Sequence, residues 1–217
     1  MALAAGTANA HGVGEADAAF IEGSSGINLV PYMYLGAKHM VTGYDHLLFL
    51  AGVIFFLYRM KDIGTYVTLF AIGHSTTLLL GTILDIRANP FLVDAVIGLS
   101  VAYKAFDNLD GFRTLFGRTP NPKAAVLIFG LFHGFGLATK LQDLTLSPEG
   151  MVPNLLAFNV GVEMGQMMAL GLILIVMNLW RLSGSFQRTA IAANAALMCA
   201  GFVLVGFQLT GYFATSA

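Results

Sequence analysis

Four histidines and two carboxylates lie within stretches of sequence that are otherwise apolar. They are His39, Asp45, His46, His74, His133 and Glu163. Ionisable side chains inside a bilayer are costly unless they are partnered, so a set of this size indicates a function. Imidazole together with carboxylate is a ligand set that suits Zn, Ni, Co or Cu(II). The sequence therefore predicts one buried site for a divalent transition metal.

The spacing of the first two histidines limits how one ion can be held. His39 and His46 share a face of a helix but would stand ~10 Å apart along it if the helix were unbroken. Both can bind one ion only if the chain unwinds between them, and Gly43 would allow this because glycine tolerates many backbone angles. Otherwise His46 is the ligand and His39 an outer relay. Asp45 is either a ligand or a carboxylate that orients a histidine on a neighbouring helix.

The later histidines and the glutamate each lie in a motif with small residues. The motifs are Gly73-His74-Ser75-Thr76-Thr77, Phe132-His133-Gly134-Phe135-Gly136 and Asn159-Val-Gly-Val-Glu163-Met-Gly-Gln166. Asn159, Glu163 and Gln166 are spaced i, i+4, i+7 and form one polar stripe on a helix. Four neighbours are candidates to orient the metal ligands, namely Ser75, Thr77, Asn159 and Gln166. Small residues recur every four positions beside these groups, which favours close packing of the three helices against one another.

Composition defines the class of protein that carries these residues. Of the 217 residues, 57% are hydrophobic and 11% are charged, whereas soluble domains carry about a quarter charged residues. Apolar segments cover about 29–59, 63–86, 90–109, 123–142, 152–180 and 188–213, and each has the ~20 residues that a bilayer core requires. We expect an all-α, polytopic membrane bundle of six spanning helices, with residues 29–217 as its single domain. The net charge of -1 argues against a nucleic-acid partner.

The first 28 residues are predicted to be a signal-like remnant followed by a polar, exposed lead. Ala8-Asn9-Ala10 resembles a small-residue cleavage site. Seven Lys or Arg residues flank one side of the predicted spans and three flank the other. The positive-inside rule therefore places both termini outside. We expect the protein to lie in a bacterial inner membrane. Counted from the basic side, His133 lies ~15 Å deep and His46 and His74 ~20 Å deep. Asp94, near an outer end, is expected to be solvated.

Taken together, these motifs resemble the HupE/UreJ family. The resemblance rests on His39-(five residues)-Asp45-His46 and on the three later motifs, and it covers about residues 30–180. Members of that family are regarded as nickel, sometimes cobalt, permeases that serve hydrogenase and urease maturation. The resemblance implies that His39, Asp45, His46, His133 and Glu163 are functional residues.

The interpretation is therefore a membrane permease that takes up a divalent metal through a site between predicted helices 1, 2, 4 and 5. Ni²⁺ is the first expectation, and Zn, Co and Cu are the others. Glu163 is expected to exchange a proton for the metal, because ligands shed protons when they bind. Two alternatives stay open. One is a Zn-dependent intramembrane hydrolase in which Glu163 or Asp45 activates water. The other is a metal-binding accessory subunit of a membrane complex, and a membrane-protein partner or a homo-oligomer is compatible with each reading.

Overall fold

The computed structural model describes residues 14–144 and 148–216, and within them the chain is a bundle of helices without strands. The helices are α1 Glu15–Gly23, α2 Leu29–Thr42, α3 Tyr44–Ile54, α4 Met60–Ile83, α5 Pro90–Asn108, α6 Gly111–Phe116, α7 Pro122–Leu141, α8 Met151–Leu182 and α9 Phe186–Ser216. The predicted all-α fold is confirmed. The cleavage site predicted at Ala8-Asn9-Ala10 lies outside the described residues.

Two of the long helices begin in the same way. The side chain of Asn89 accepts hydrogen bonds from two backbone N–H groups at the start of α5, and Asn121 does so at the start of α7. Each asparagine is followed by a proline, Pro90 or Pro122, at the first helical position. The asparagine satisfies donors that have no partner within the helix, and proline lacks one of those donors, so this pairing fixes where both helices begin.

Within the described part of the chain, four helices are long and apolar enough to cross a membrane, namely α4, α7, α8 and α9. The first predicted span is instead divided into α2 and α3, and the third corresponds to α5, which has 19 residues and includes Asp94, Lys104 and Asp107. The multi-pass character of the chain follows from the four long helices. The count of six spans and the outside location of both termini stay predictions.

The long helices are arranged as three closely packed pairs. The pairs are α2 with α8, α4 with α7, and α5 with α9. Glycines allow backbone to touch backbone in each pair: a Cβ at Gly161 would overlap Met33, one at Gly134 would overlap His74, and one at Gly201 would overlap Ala102. The short helix α3 packs chiefly on α5. Helix α3 carries Asp45 and His46, and the pairs that contain α2, α4 and α7 carry the other three histidines.

The sequence predicted that the second, fourth and fifth spans pack against one another. This is correct for the second and fourth spans only. The second and fourth spans, α4 and α7, do form a pair. The fifth span, α8, instead places Gly161 and Gly165 against Met33 and Ala37 of α2. A stripe of small residues marks a face that a neighbour can approach closely, but it does not identify that neighbour.

The two ends of the bundle are held by polar contacts between helices. At the end that carries the seven Lys and Arg residues, called here the basic end, Arg181 donates hydrogen bonds to the carbonyl oxygens of Ile54 and Phe55, each at 2.8 Å. At the other end, called here the outer end, the side chain of Asn154 accepts from the backbone N–H of Asn28 at 2.7 Å. These contacts join α8 to both ends of the α2–α3 segment.

The polar lead is not wholly exposed. Residues 15–23 form α1, and its Ile21 is 1% exposed within a core cluster of the bundle. Asp17 of α1 accepts from Lys38 of α2 at 2.8 Å. One apolar anchor and one ion pair therefore fix α1 beside the middle of α2.

Candidate metal site

The chain breaks between His39 and His46, at the glycine where the sequence allowed it. Gly43 has φ -72° and ψ 95°, an extended conformation, and it separates the end of α2 from the start of α3. The ring centroids of His39 and His46 are consequently 5.3 Å apart, compared with ~10 Å along an unbroken helix. These backbone angles are open to any residue, so the contribution of glycine here is its poor helix propensity.

Among the residues that the structure describes, two groups of side chains bring potential ligand atoms close together. The first is His39, His46 and His74, and the second is Asp45, His46 and His133; within each group the ligand atoms lie within 4.8 Å of one another. His46 belongs to both groups. Its ring centroid is 5.9 Å from that of His74 and 4.7 Å from that of His133. The two groups therefore form one continuous cluster with His46 at its centre.

The histidines at the centre of the cluster are shielded from solvent. His46, His74 and His133 are 1%, 0% and 1% exposed. Neither ring nitrogen of His74 has a hydrogen-bond partner among the described residues. A buried polar group without a partner destabilises a fold by ~1–3 kcal/mol. A metal ion bound to one of the two nitrogens would offset that loss for the nitrogen it binds.

Asp45 orients the histidine that follows it in the sequence. Its Oδ1 lies 2.8 Å from Nδ1 of His46 and also accepts from the backbone N–H of that residue. A carboxylate that accepts from one ring nitrogen leaves the lone pair on the other nitrogen, Nε2, to bind a metal. The sequence predicted two alternative roles for Asp45, either as a metal ligand or as a carboxylate that orients a histidine on a neighbouring helix. The structure shows an orienting contact within α3, and it also places a carboxylate oxygen in the second group.

Phenylalanines enclose the cluster on its basic side. The ring of Phe70 is 6.1 Å from His46 and 5.1 Å from His133, and that of Phe49 is 5.3 Å from His133. Both phenylalanines belong to an apolar cluster that continues toward the basic end through Val53, Ile63, Val126 and Leu174. In this conformation apolar side chains separate the histidines from the basic end.

A pocket adjoins the cluster on the opposite side. It has a volume of about 280 Å³, and its lining includes Asp17 of α1, Lys38, His39 and Thr42 of α2, and Phe158 of α8. His39 lines this pocket and also belongs to the first ligand group. The pocket therefore reaches the histidine cluster through His39.

The glutamate expected in the site lies elsewhere. Glu163 is exposed on α8 and belongs to neither ligand group. Its stripe partners differ from it, because Asn159 and Gln166 are 6% and 1% exposed and their amide atoms have no hydrogen-bond partners among the described residues. The described structure therefore brings the four histidines and Asp45 together but leaves Glu163 on the surface of the bundle.

The two hydroxyl residues expected to orient ligands have different environments. Thr77 donates a hydrogen bond to the carbonyl oxygen of Leu131 at 2.6 Å, which joins α4 to α7 beside both histidine motifs. Ser75 is half-buried and makes no hydrogen bond to a histidine among the described residues. Thr77 thus acts on the packing of the helices that carry His74 and His133.

Two polar contacts beside the cluster were missed at the level of sequence. Ser100 of α5 is fully buried, and its Oγ lies 3.1 Å from Nε2 of His133. Asp94, expected to be solvated, is 8% exposed and pairs with Lys140 of α7 at 2.8 Å. The expectation for Asp94 was wrong because it considered only the distance from the end of the helix and not the cation on the facing helix. Ser100 carries no distinguishing signal, since a lone serine in an apolar segment fits any helix.

Comparison with known proteins identifies one family. The family model described as HupE / UreJ protein matches residues 15–216. The searches of curated proteins and of solved structures found no match for the chain.

Proposed function

Because the chain belongs to the HupE/UreJ family, we propose that it carries a divalent transition-metal ion across the membrane, with Ni²⁺ as the favoured cargo. The observation that carries this proposal is the sharing of His46 between two three-residue ligand groups. An ion held by the first group reaches the second by exchanging two ligands while it keeps the third. Partial exchange of this kind avoids the free-energy cost of releasing the ion into an apolar interior.

The chemistry of the cluster supports a borderline transition metal. It offers four imidazoles and one carboxylate without a thiolate, and imidazole is a common ligand of Ni, Cu, Zn and Co. Among these ions the resemblance of the sequence to nickel and cobalt permeases favours Ni²⁺ and then Co²⁺. Neutral imidazoles contribute no charge, so the single carboxylate of Asp45 gives the cluster the negative charge that attracts a cation.

The surroundings of the cluster support a pathway with one closed side. The pocket beside His39 provides access from the side of α1, and Asp17 places a carboxylate there. The apolar side chains around Phe49 and Phe70 close the opposite side. A permease with this arrangement would release its cargo after these apolar side chains move apart, so the geometry corresponds to a loading conformation.

The test is a flux measurement with purified protein in liposomes that contain a metal-sensitive dye. We expect Ni²⁺ to enter protein-containing liposomes faster than empty ones, and faster still with an inside-negative membrane potential. His46→Ala is the matched control, because it removes the residue common to both groups. Stoichiometric Ni²⁺ binding without flux under a potential or a proton gradient would contradict transport and would favour the accessory-subunit or hydrolase readings.

A further inference from the structure

We propose that Ser100 is a positioning residue for His133: its hydroxyl holds the imidazole in the tautomer protonated on Nε2, so that Nδ1 is the nitrogen presented to the metal. The part of this inference that concerns metal rests on the proposed function. The tautomer itself is a property of the metal-free protein. Ser100 lies on α5, a helix that supplies no residue to either ligand group.

The hydrogen-bond geometry of Ser100 carries the assignment. Its Oγ lies 2.6 Å from the carbonyl oxygen of Ile97 and 3.1 Å from Nε2 of His133. A carbonyl oxygen only accepts, so the single hydroxyl proton is used in the shorter bond to Ile97. The hydroxyl oxygen then meets Nε2 as an acceptor, and Nε2 must carry a proton. In a neutral imidazole the lone pair is then on Nδ1.

The neighbouring histidine is fixed in the opposite sense. The carboxylate of Asp45 accepts from Nδ1 of His46, which leaves the lone pair of His46 on Nε2. The rings of His46 and His133 are 4.7 Å apart at an angle of 82°. If both rings bind one ion, His46 presents Nε2 and His133 presents Nδ1, because Asp45 is bonded to the other nitrogen of His46 and Ser100 to the other nitrogen of His133. Acceptors of this kind orient ligating histidines in many metal sites.

The contact with His133 distinguishes Ser100 from a serine that only completes its own helix. Thr139 on α7 offers the comparison: it is 4% exposed, and its hydroxyl bonds to the carbonyl oxygen of Gly136 at 2.8 Å, three residues earlier in the chain. Ser100 makes the same local bond to Ile97 and adds the contact with the imidazole. Thr139 is therefore a matched control for the loss of a buried, helix-bonded hydroxyl.

Removal of the hydroxyl would take the Ser100 oxygen away from Nε2–H of His133, a residue that is 1% exposed. The ring would then change tautomer or turn, and either change moves the lone pair away from the ion. Loss of an orienting partner lowers metal affinity about 10–100-fold in known sites. We expect Ser100→Ala to fall in that range, Ser100→Thr to recover most of the affinity because it keeps a hydroxyl, and Thr139→Ala to change it by less than about 3-fold.

The first measurement is a ¹⁵N–¹H correlation spectrum of metal-free, histidine-labelled protein near pH 8, where an ordinary histidine is neutral. The signals of His133 are assigned by their absence in His133→Ala. The expected pattern is a protonated Nε2 and an unprotonated Nδ1 in the wild type. A wild-type His133 protonated on Nδ1 would overturn the assignment, and this outcome needs no variant to fold.

The second measurement is Co²⁺ binding, with affinity and visible absorption as readouts. A Ser100→Ala variant that binds Co²⁺ no more weakly than Thr139→Ala would overturn the positioning role. Failure of the proposed function has a different signature: the wild-type tautomer is as expected, but Co²⁺ and Ni²⁺ do not bind. A wild type that binds Co²⁺ with His133 protonated on Nδ1 contradicts this inference alone.

Discussion

At the scale of single residues, His46 is the one side chain common to both ligand groups. His39 and His74 contribute to the first group only, and His133 contributes to the second only. Loss of His46 leaves two potential ligands in each group, whereas loss of any other histidine leaves one group complete. The four histidines are therefore unequal, although each lies in an apolar segment of the sequence.

This inequality predicts an order of effects on metal binding. We expect His46→Ala to lower Ni²⁺ affinity by at least ~100-fold, more than the loss of an orienting group does. His39→Ala and His133→Ala each leave one group intact, so we expect losses smaller than that of His46→Ala, with the loss in His133→Ala at least as large as that in Ser100→Ala. Calorimetric titration of the three variants in detergent tests the order. Equal losses in all three would show that the ion uses one set of ligands throughout, and would contradict two groups that share a residue.

Glu163 provides a second prediction at this scale. It is exposed and lies in neither ligand group, so Glu163→Gln should leave Ni²⁺ affinity, measured between about pH 5.5 and 8, within ~3-fold of the wild type. Asp45→Asn is the comparison, because it weakens an acceptor that does contact a candidate ligand. A flattened pH dependence in Glu163→Gln would restore the proton-exchange role suggested by the sequence. Such a result would require α8 to rotate Glu163 toward the histidines during transport.

At the scale of helices, the sequence predicts faces better than partners. The histidine motifs and the Gly43 break are predictable because the chain itself sets the depth of each residue and the points where a helix can end. The position of Glu163 is not predictable in this way. At ~100° per residue, three side chains spaced i, i+4, i+7 spread over about 60° of the helix circumference. Asn159 and Gln166 therefore face inward while Glu163 lies at the edge of the stripe. The contact of Ser100 with His133 depends on which helix α7 meets, and no pattern within one segment contains that information.

The close contact of α4 with α7 predicts a large effect from one methyl group. A Cβ at Gly134 would overlap the carbonyl oxygen of His74 and the hydroxyl of Thr77. Overpacking of this kind costs about 1–3 kcal/mol, so we expect Gly134→Ala to lower the free energy of unfolding by that amount and to weaken metal binding by moving His133. Gly171→Ala is the control, because no atom of the described residues lies within 4 Å of a Cβ there. It should be neutral or stabilising in thermal unfolding, and similar losses in both variants would contradict the role of the contact.

At the scale of the whole molecule, the three helix pairs define the direction in which each long helix runs through the bundle. The contacts at Gly161 and Gly134 join parallel helices, and those at Gly98 and Gly201 join antiparallel ones. This arrangement places the connections before α4, α7 and α9 together at the basic end. If that end faces the cytoplasm, as the distribution of Lys and Arg predicts, the pocket beside His39 lies toward the other face of the membrane.

Single cysteines test that orientation in intact cells. In a Cys199→Ser background, Ala88→Cys lies in the exposed connection between α4 and α5, and Thr119→Cys lies in the exposed connection before α7. We expect an impermeant thiol reagent to label Ala88→Cys in intact cells and to label Thr119→Cys only after the membrane is permeabilised. The reverse pattern would overturn the predicted topology and the uptake direction that depends on it.

The imidazole of His46, which both ligand groups share, also predicts how the rate of uptake depends on metal concentration. Two cations bound at once would compete for one lone pair and repel each other at a separation of a few ångströms in an apolar interior, so the chain would handle its cargo one ion at a time. Initial rates of uptake would then rise hyperbolically with metal concentration, with a Hill coefficient of about one. A second metal accepted by the same residues would act as a competitive inhibitor. It would slow nickel uptake when the nickel concentration is low, and a high nickel concentration would overcome the inhibition. A cell exposed to both metals would therefore acquire them in the ratio of their specificity constants multiplied by the ratio of their concentrations.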